Sequence, residues 1–313
     1  MKKFYPLITL AVLLLLPLFG FSTYVMHIFI LLLMWATIGM SWNLLSGYCG
    51  QVSFGHAAFF GIGAYTAGIL YSKAGASPWL GLPLSIFVVG VFAFIIGLIV
   101  LRLRGPFFAL ATLASGEVFR VSAENMEWLT NGTLGIMLQK RLWVSKEPYY
   151  YIILAIAVAT FLLMKYLIGS KLGYFFVAIR EDQDAADSLG INTTLYKTVA
   201  LVVSGMITGV AGAFYMNYMG YIDPHIVFAL HDVSIITIMI VMVGGVATQW
   251  GPFVGAVIMV MLQEAVRSIG SLGALHQAIF GLLLIFIIIF LPNGIVGDFG
   301  KIKRFFGLGR VRA

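Results

Sequence analysis

The stretch Trp79-Leu-Gly-Leu-Pro-Leu-Ser-Ile-Phe-Val-Val-Gly-Val-Phe-Ala-Phe-Ile-Ile-Gly-Leu-Ile-Val-Leu101 holds no charged side chain, and Arg102 and Arg104 close it. A bilayer's hydrocarbon core is about 30 Å thick, so about 20 apolar residues in a helix suffice to cross it. This run therefore reads as a membrane span. The arginines mark its cytoplasmic end, because Lys and Arg gather in loops on that side. The whole chain agrees: of 313 residues, 61% are hydrophobic, 35 are Gly and only 10% are charged, against about 25% charged in an average soluble domain. Mean hydropathy of +1.02 leaves too little polar surface to cover a water-soluble core. Disorder is excluded as well, since 25 Phe, 14 Tyr and 6 Trp bring more apolar surface than a disordered segment carries. The net charge of +7 is what orientation in a membrane demands, so no nucleic-acid partner is implied. The single cysteine, Cys49, rules out an internal disulfide.

On either side of this run, further spans are predicted at Leu7–Phe21, Met26–Leu45, Gly55–Tyr71, Tyr149–Ile168, Val199–Met219, Val233–Val246, Gly251–Ile269 and Gln277–Leu291. The first reads as a retained anchor, because Phe21, Ser22, Thr23 and Tyr24 lack a small-x-small cleavage pattern. Lys165 and Lys171 close one span and Lys301, Lys303, Arg304, Arg310 and Arg312 follow the last, which makes those ends cytoplasmic. Lys140, Arg141 and Lys146 run against this sign rule on the outside. Parity then requires a crossing between Arg104 and Tyr149, and Pro106–Ala123 is the segment available. Its charged residues Glu117 and Arg120 stand three apart and can neutralise each other on a helix. The expectation is an all-α membrane protein: a polytopic helical bundle of about 10 spans (8–10) with broken or re-entrant Gly-rich segments and a short cytoplasmic coupling helix. Residues 1–313 form a single transmembrane domain with both termini cytoplasmic, a cytoplasmic loop at 170–197 and a basic cytoplasmic tail at 298–313 that suits an anionic membrane surface.

The longest stretch outside the spans, Glu124–Pro148, is far shorter than a folded soluble domain. No Walker motif is present: the Gly300-Lys301 pair is followed by Ile302. The chain is thus not an enzyme, and ATP, if used, is bound by another subunit. In the 170–197 loop, Phe176, Ile179, Ala186 and Leu189 can share one helical face while Glu181, Asp182, Asp184 and Asp187 occupy the other. Gly190 is placed to end that helix in the left-handed conformation. Gly47, Gly50, Gly55, Gly61 and Gly63 punctuate the segment Asn43–Tyr65. Such density either lets helices pack closely or lets one break in the membrane, where free N–H groups beside Gln51, Ser53 and His56 would receive a substrate carboxylate. Gly205 with Gly209 and Gly251 with Gly255 read as packing seams. The Gly244-Gly245 block up to Pro252 loosely echoes the first glycine block. Asp223, His225, His231 and Asp232 read as polar residues of an external turn rather than a metal site.

The stretches Asn43-Leu-Leu-Ser-Gly-Tyr-Cys-Gly-Gln-Val-Ser-Phe-Gly-His-Ala57, Arg102-Leu-Arg-Gly-Pro-Phe-Phe-Ala-Leu-Ala-Thr-Leu-Ala114 and Ala178-Ile-Arg-Glu-Asp-Gln-Asp-Ala-Ala-Asp-Ser-Leu-Gly-Ile-Asn192 resemble the permease subunits of ABC importers for branched-chain amino acids, LivM type. Gly244–Ala256 and Pro292–Ile295 fit the same pattern. The resemblance implies an inner-membrane importer in bacteria that takes up leucine, isoleucine, valine or related hydrophobic amino acids by alternating access. It implies as partners a second homologous permease, two cytosolic ABC ATPases and a periplasmic or lipid-anchored substrate-binding protein, with no cofactor on this chain. Arg180, Glu181, Ala185, Ala186 and Gly190 correspond to the ATPase-coupling loop. Gly50, Gln51, Ser53, Gly55, His56, Gly244 and Gly245 are the translocation-pathway candidates. Alternatives are a urea or short-amide permease of the same family and, in a different class, an ion-coupled carrier using Glu117, Asp232 or Glu264.

Overall fold

A computed structural model describes residues 13–139, 142–268, 281, 282, 285, 289 and 293–298. Helix α1 (Thr23–Trp42) continues as a π-helical turn over Asn43–Tyr48, and residues 49–55 are not helical. There follow α2 (His56–Ala74), α3 (Gly81–Val100), α4 (Pro106–Asn125), α5 (Glu147–Gly169), α6 (Lys171–Glu181), α7 (Gln183–Ser188) and α8 (Thr193–Met219). Short turns at Pro224–Val227 and Leu230–Ile235 lead into α9 (Ile236–Gly244), and α10 spans Gly251–Ser268. Two short strands, β1 (Ile136–Met137) and β2 (Tyr221–Ile222), pair antiparallel with Ile136 opposite Ile222. The helix ends follow local chemistry. Ser22 Oγ accepts from Val25 N at 3.4 Å to start α1, Asn192 Oδ1 accepts from Leu195 N at 3.0 Å to start α8, and left-handed Gly220 closes α8.

Five segments among the described residues are long and apolar enough to cross a membrane: Thr23–Tyr48, Pro78–Val100, Glu147–Gly169, Thr193–Met219 and Pro224–Gly244; the shorter Gly251–Val266 is also apolar. The outer faces of α3 and α5 expose Phe87, Ile99 and Leu162, as lipid contact requires. Helix α4 has the same length as α3 but carries Glu117, Arg120 and Glu124, with Arg120 paired to both acids. The pairing expected from sequence is therefore present, extended by one further carboxylate.

Contacts sort the helix ends into two groups. At the end that carries the β1–β2 pair, Lys146 donates to Thr23 O (3.1 Å), Lys73 to Asn131 Oδ1 (3.4 Å) and Tyr24 OH to Glu264 Oε2 (2.7 Å), while His225 Nε2 lies 3.3 Å from Glu124. At the opposite end, Arg104 pairs with Asp184 (2.7 Å), Lys197 donates to Leu101 O (3.2 Å) and Arg180 to Gly47 O (3.2 Å). The long helices run between these ends in alternating directions, and α4 runs opposite to α3. Helix α8 is the central post, packed on α1, α2 and α3.

Several boundaries differ from the sequence reading. Helix α8 starts at Thr193, so the end of the 170–197 loop belongs to a long helix and Lys197 is buried in it. The segment expected from Val233 is already helical at Pro224, because Asp223 Oδ1 accepts from Ile226 N (2.9 Å) and nucleates a turn there. Leu189, expected on the buried face, is 82% exposed. The helix breaks at Asp182 (φ −157°, ψ 111°), which resets the phase of everything after it. The part of the first predicted span before Leu13, most of the last one and the tail after Asp298 lie outside the described residues.

Candidate functional site

Two groups of residues meet at the end of the molecule opposite the β1–β2 pair. The first is the α6–α7 pair. Ser170 Oγ caps α6 by accepting from Leu172 N (3.2 Å), and Asp182 Oδ1 caps α7 by accepting from Asp184 N (2.9 Å) and Ala185 N (3.0 Å). At its far end, Gly190 takes φ +84°, Gly190 N donates to Asp187 O (3.0 Å) and Ile191 N to Ala186 O (3.1 Å). That bond pair is a Schellman motif, which needs a residue without a Cβ at this position. Phe176, Ile179 and Ala186 are buried and hold the pair against the bundle. Glu181, Ala185, Leu189 and Gly190 face outward. Asp184 is tied back to Arg104, and Gln183 Oε1 accepts from Lys197 Nζ (3.2 Å).

Arg180 behaves differently from its neighbours. It bonds Glu181 Oε1 (2.6 Å), but it also reaches inward to donate to Gly47 O, a carbonyl of the π-helical turn. A Cβ added to Gly50 would stand 2.8 Å from Arg180 Cγ and 3.0 Å from its Cα. Gly50 also holds φ +73°, so this close approach requires glycine twice over.

The second group is the break between α1 and α2. Cys49 N and Gln51 N still donate to Leu44 O (3.2 Å) and Leu45 O (3.0 Å) of the π-helical turn, but the amides from Ser53 to Gly55 are met by hydroxyls instead of a helix ladder. Ser46 Oγ accepts from Ser53 N (3.3 Å) and donates to Gln51 O (2.9 Å); Ser53 Oγ accepts from Gly55 N (3.1 Å). Thr112 Oγ1 of α4 accepts from Phe54 N (3.1 Å), and Ser234 Oγ accepts from Ala57 N (2.9 Å). Trp42 Nε1 donates to Ser53 O (2.8 Å). His56, fully buried, places Nε2 2.8 Å from Ser204 Oγ, whose own proton goes to Ser41 O (2.7 Å). His56 Nε2 is therefore the donor, and Nδ1 is left as a buried acceptor with no partner. A hydroxyl-capped break of this kind can be remade with other partners more readily than a continuous ladder.

The block that starts at Gly244 and Gly245 reaches the π-helical turn through Ala247 and Thr248. Asn43 Oδ1 accepts from Ala247 N (2.8 Å) and Asn43 Nδ2 donates to Thr248 O (2.9 Å), joining the two glycine blocks that echo each other in sequence. Gly244 is a packing position, since its Cβ would fall 1.8 Å from Gly251 O; Gly245 sits under Gly294. Sequence reasoning did not single out Asn43, Thr112, Ser204 or Ser234. Their signal was a polar side chain inside an apolar stretch, which becomes informative once the partners are known.

The family profile described as branched-chain amino acid transport system, permease component, matches residues 24–288. The chain is similar to the high-affinity branched-chain amino acid transport system permease protein LivM of Salmonella typhimurium, 28% identical over 288 residues, covering 83% of this chain and 67% of that one. The LivM of Escherichia coli is 26% identical over 295 residues, covering 85% and 68%. The LivH permease of Salmonella typhimurium is 24% identical over 284 residues, covering 84% and 91%. No solved structure matches the chain significantly.

Proposed function

The chain belongs to the branched-chain amino acid transport permease family, and on that basis we propose that it is one of two membrane subunits of an ATP-driven importer for leucine, isoleucine, valine or related apolar amino acids. Its sister is a homologous permease; two cytosolic ATPases drive the pair, and a periplasmic or lipid-anchored binding protein delivers substrate. ATP is bound by those partners. The observation that carries this reading is Arg180. It sits between an outward-facing helix pair and the glycine-rich break, touching Gly47 and Gly50 from the end of α6, next to Glu181 and to the α7 turn that presents Ala185 and Gly190. Movement of α6–α7 by an ATPase would be felt first at the break, which holds Gln51, Ser53 and Gly55 and leads into His56 in the pathway.

In this reading the end with the β1–β2 pair is external and the α6–α7 end is cytoplasmic, consistent with Arg102, Arg104, Lys165 and Lys171 there. The alternating directions of the described long helices, α4 among them, fit this orientation; within the proposal the chain is a single 1–313 domain with about ten crossings, both termini inside and the membrane of a bacterial cell as its site. The 298–313 tail follows the last crossing on the cytoplasmic face. Residues 49–55 supply the broken segment. Ion coupling is less well supported: Glu117 is paired with Arg120, and Glu264 accepts from Tyr24. The reading is tested by co-purification with the sister permease and ATPases. Glu181→Lys combined with Ala185→Asp is expected to abolish ATPase association while the permease pair stays monodisperse; retained association refutes the docking role.

A further inference from the structure

Toward the end with the β1–β2 pair, a cavity of about 400 Å³ opens between α1, α2, α8 and the turn that follows β2. That is within the range of about 300–1,000 Å³ occupied by small-molecule sites. Its apolar wall is Met34, Trp35 and Phe60, with Tyr215 beside them; Phe60 and Tyr215 meet edge to face at 5.3 Å between centroids. Its polar side is made by Asp223 and Asp232. His225 also lines it and lies 3.3 Å from Glu124. The cavity thus presents carboxylates on one side and an aromatic-aliphatic wall on the other, with Phe60 five residues along α2 from the break at 49–55 and Trp35 fourteen residues before it on the α1 side.

Resting on the permease reading above, we propose that this cavity is the outward loading site, in which Asp223 and Asp232 receive the α-ammonium of an apolar amino acid and Trp35, Phe60 and Met34 receive its side chain. The chemistry selects for the substrate class. An ammonium leaving water needs a carboxylate partner, and an aliphatic side chain gains by leaving water for an apolar wall. Binding is weak by construction, because Asp232 remains exposed and Asp223 already bonds Ile226 N. A weak site suits a transfer point that must release its cargo inward. Along the chain, Phe60 lies about one turn of α2 beyond His56 and Met34 about two turns of α1 before Ser41, so in this proposal inward release passes between α1 and α2 and requires them to move relative to each other.

The test uses the complete importer, with sister permease, ATPases and binding protein, in proteoliposomes. A diazirine-bearing leucine is photolysed during uptake and its adducts are mapped by peptide mass spectrometry. Adducts are expected on the peptides holding Trp35 or Phe60. Excess leucine should displace them, and 4-methylpentanoate, which lacks the ammonium, should not. Asp223→Asn keeps the helix cap while removing the charge, and together with Asp232→Asn it should lower labelling about tenfold, the scale of one lost charge-assisted bond. Asp232→Glu should restore most of it. Labelling confined to other helices, or unchanged in the double variant, overturns the loading site. If the wild-type importer takes up leucine yet leaves the cavity unlabelled, only this inference falls; if it takes up no amino acid, the permease reading falls with it.

Discussion

Glycine does two different jobs in this molecule, and comparing them separates framework from moving part. In the seams between α2 and α8 and between α9 and α10, glycines bring backbone onto backbone: a Cβ at Gly63 would lie 2.0 Å from Gly209 O, and one at Gly255 would lie 1.8 Å from Ile240 O. No rotamer change relieves such a contact, so these seams act as fixed pairs of helices. At the break, Gly50 instead holds a left-handed conformation against Arg180, whose Cγ a Cβ would meet at 2.8 Å and whose Cα at 3.0 Å, a looser approach than in the seams. Its neighbours are bonded through single hydroxyls of Ser46, Ser53 and Thr112. The seams resist relative motion and the break tolerates it. Two rigid pairs flanking a breakable segment are what a bistable transporter needs.

The contrast can be attacked at several places. Gly63→Ala should have the largest effect, more than about 3 kcal/mol, because overpacking against backbone cannot be relaxed locally; loss of monodisperse protein in detergent checks it. Gly50→Ala should cost about 1–2 kcal/mol from the left-handed conformation alone. The fold and the ATPase association should survive, while uptake falls, because Arg180 is pushed from its seat; uptake and co-purification measured on the same preparation decide this. Arg104→Ala removes a pair whose side chains are 59% and 76% exposed, and should change thermal stability by less than about 1 kcal/mol. Gly169→Ala, at a position where a Cβ meets nothing, should be neutral or slightly stabilising, and serves as the control for glycine replacement as such.

Sequence alone was sufficient wherever the controlling physics is local. Gly190 could be placed at a helix end because only that conformation completes the Schellman bonds, and Glu117 with Arg120 could be paired because residues three apart share a helix face. Leu189 could not be placed correctly. Its exposure depends on the extended conformation of Asp182, which divides one expected helix into two and rotates the second half relative to the first. Asn43 is the opposite case to Gly190: its partners lie 204 and 205 residues away, so no local pattern announces that it joins the two glycine blocks. The hydroxyl caps of the break were hidden for the same reason, since Thr112 and Ser234 come from other helices. The external turn at Asp223 to Asp232 was legible as polar and exposed. That it walls a cavity with Trp35 and Phe60 required the fold.

The proposed coupling turns on Arg180: it joins the α6–α7 pair to the break through Gly47 O, whereas Glu181, Ala185 and Gly190 are exposed on the outer side of that pair. The decisive experiment measures ATP hydrolysis and leucine uptake together in proteoliposomes containing the complete importer with Arg180→Gln. The ATPases should remain bound and hydrolyse ATP while uptake per ATP collapses. Hydrolysis and uptake retained at the wild-type ratio would show that Arg180 transmits nothing.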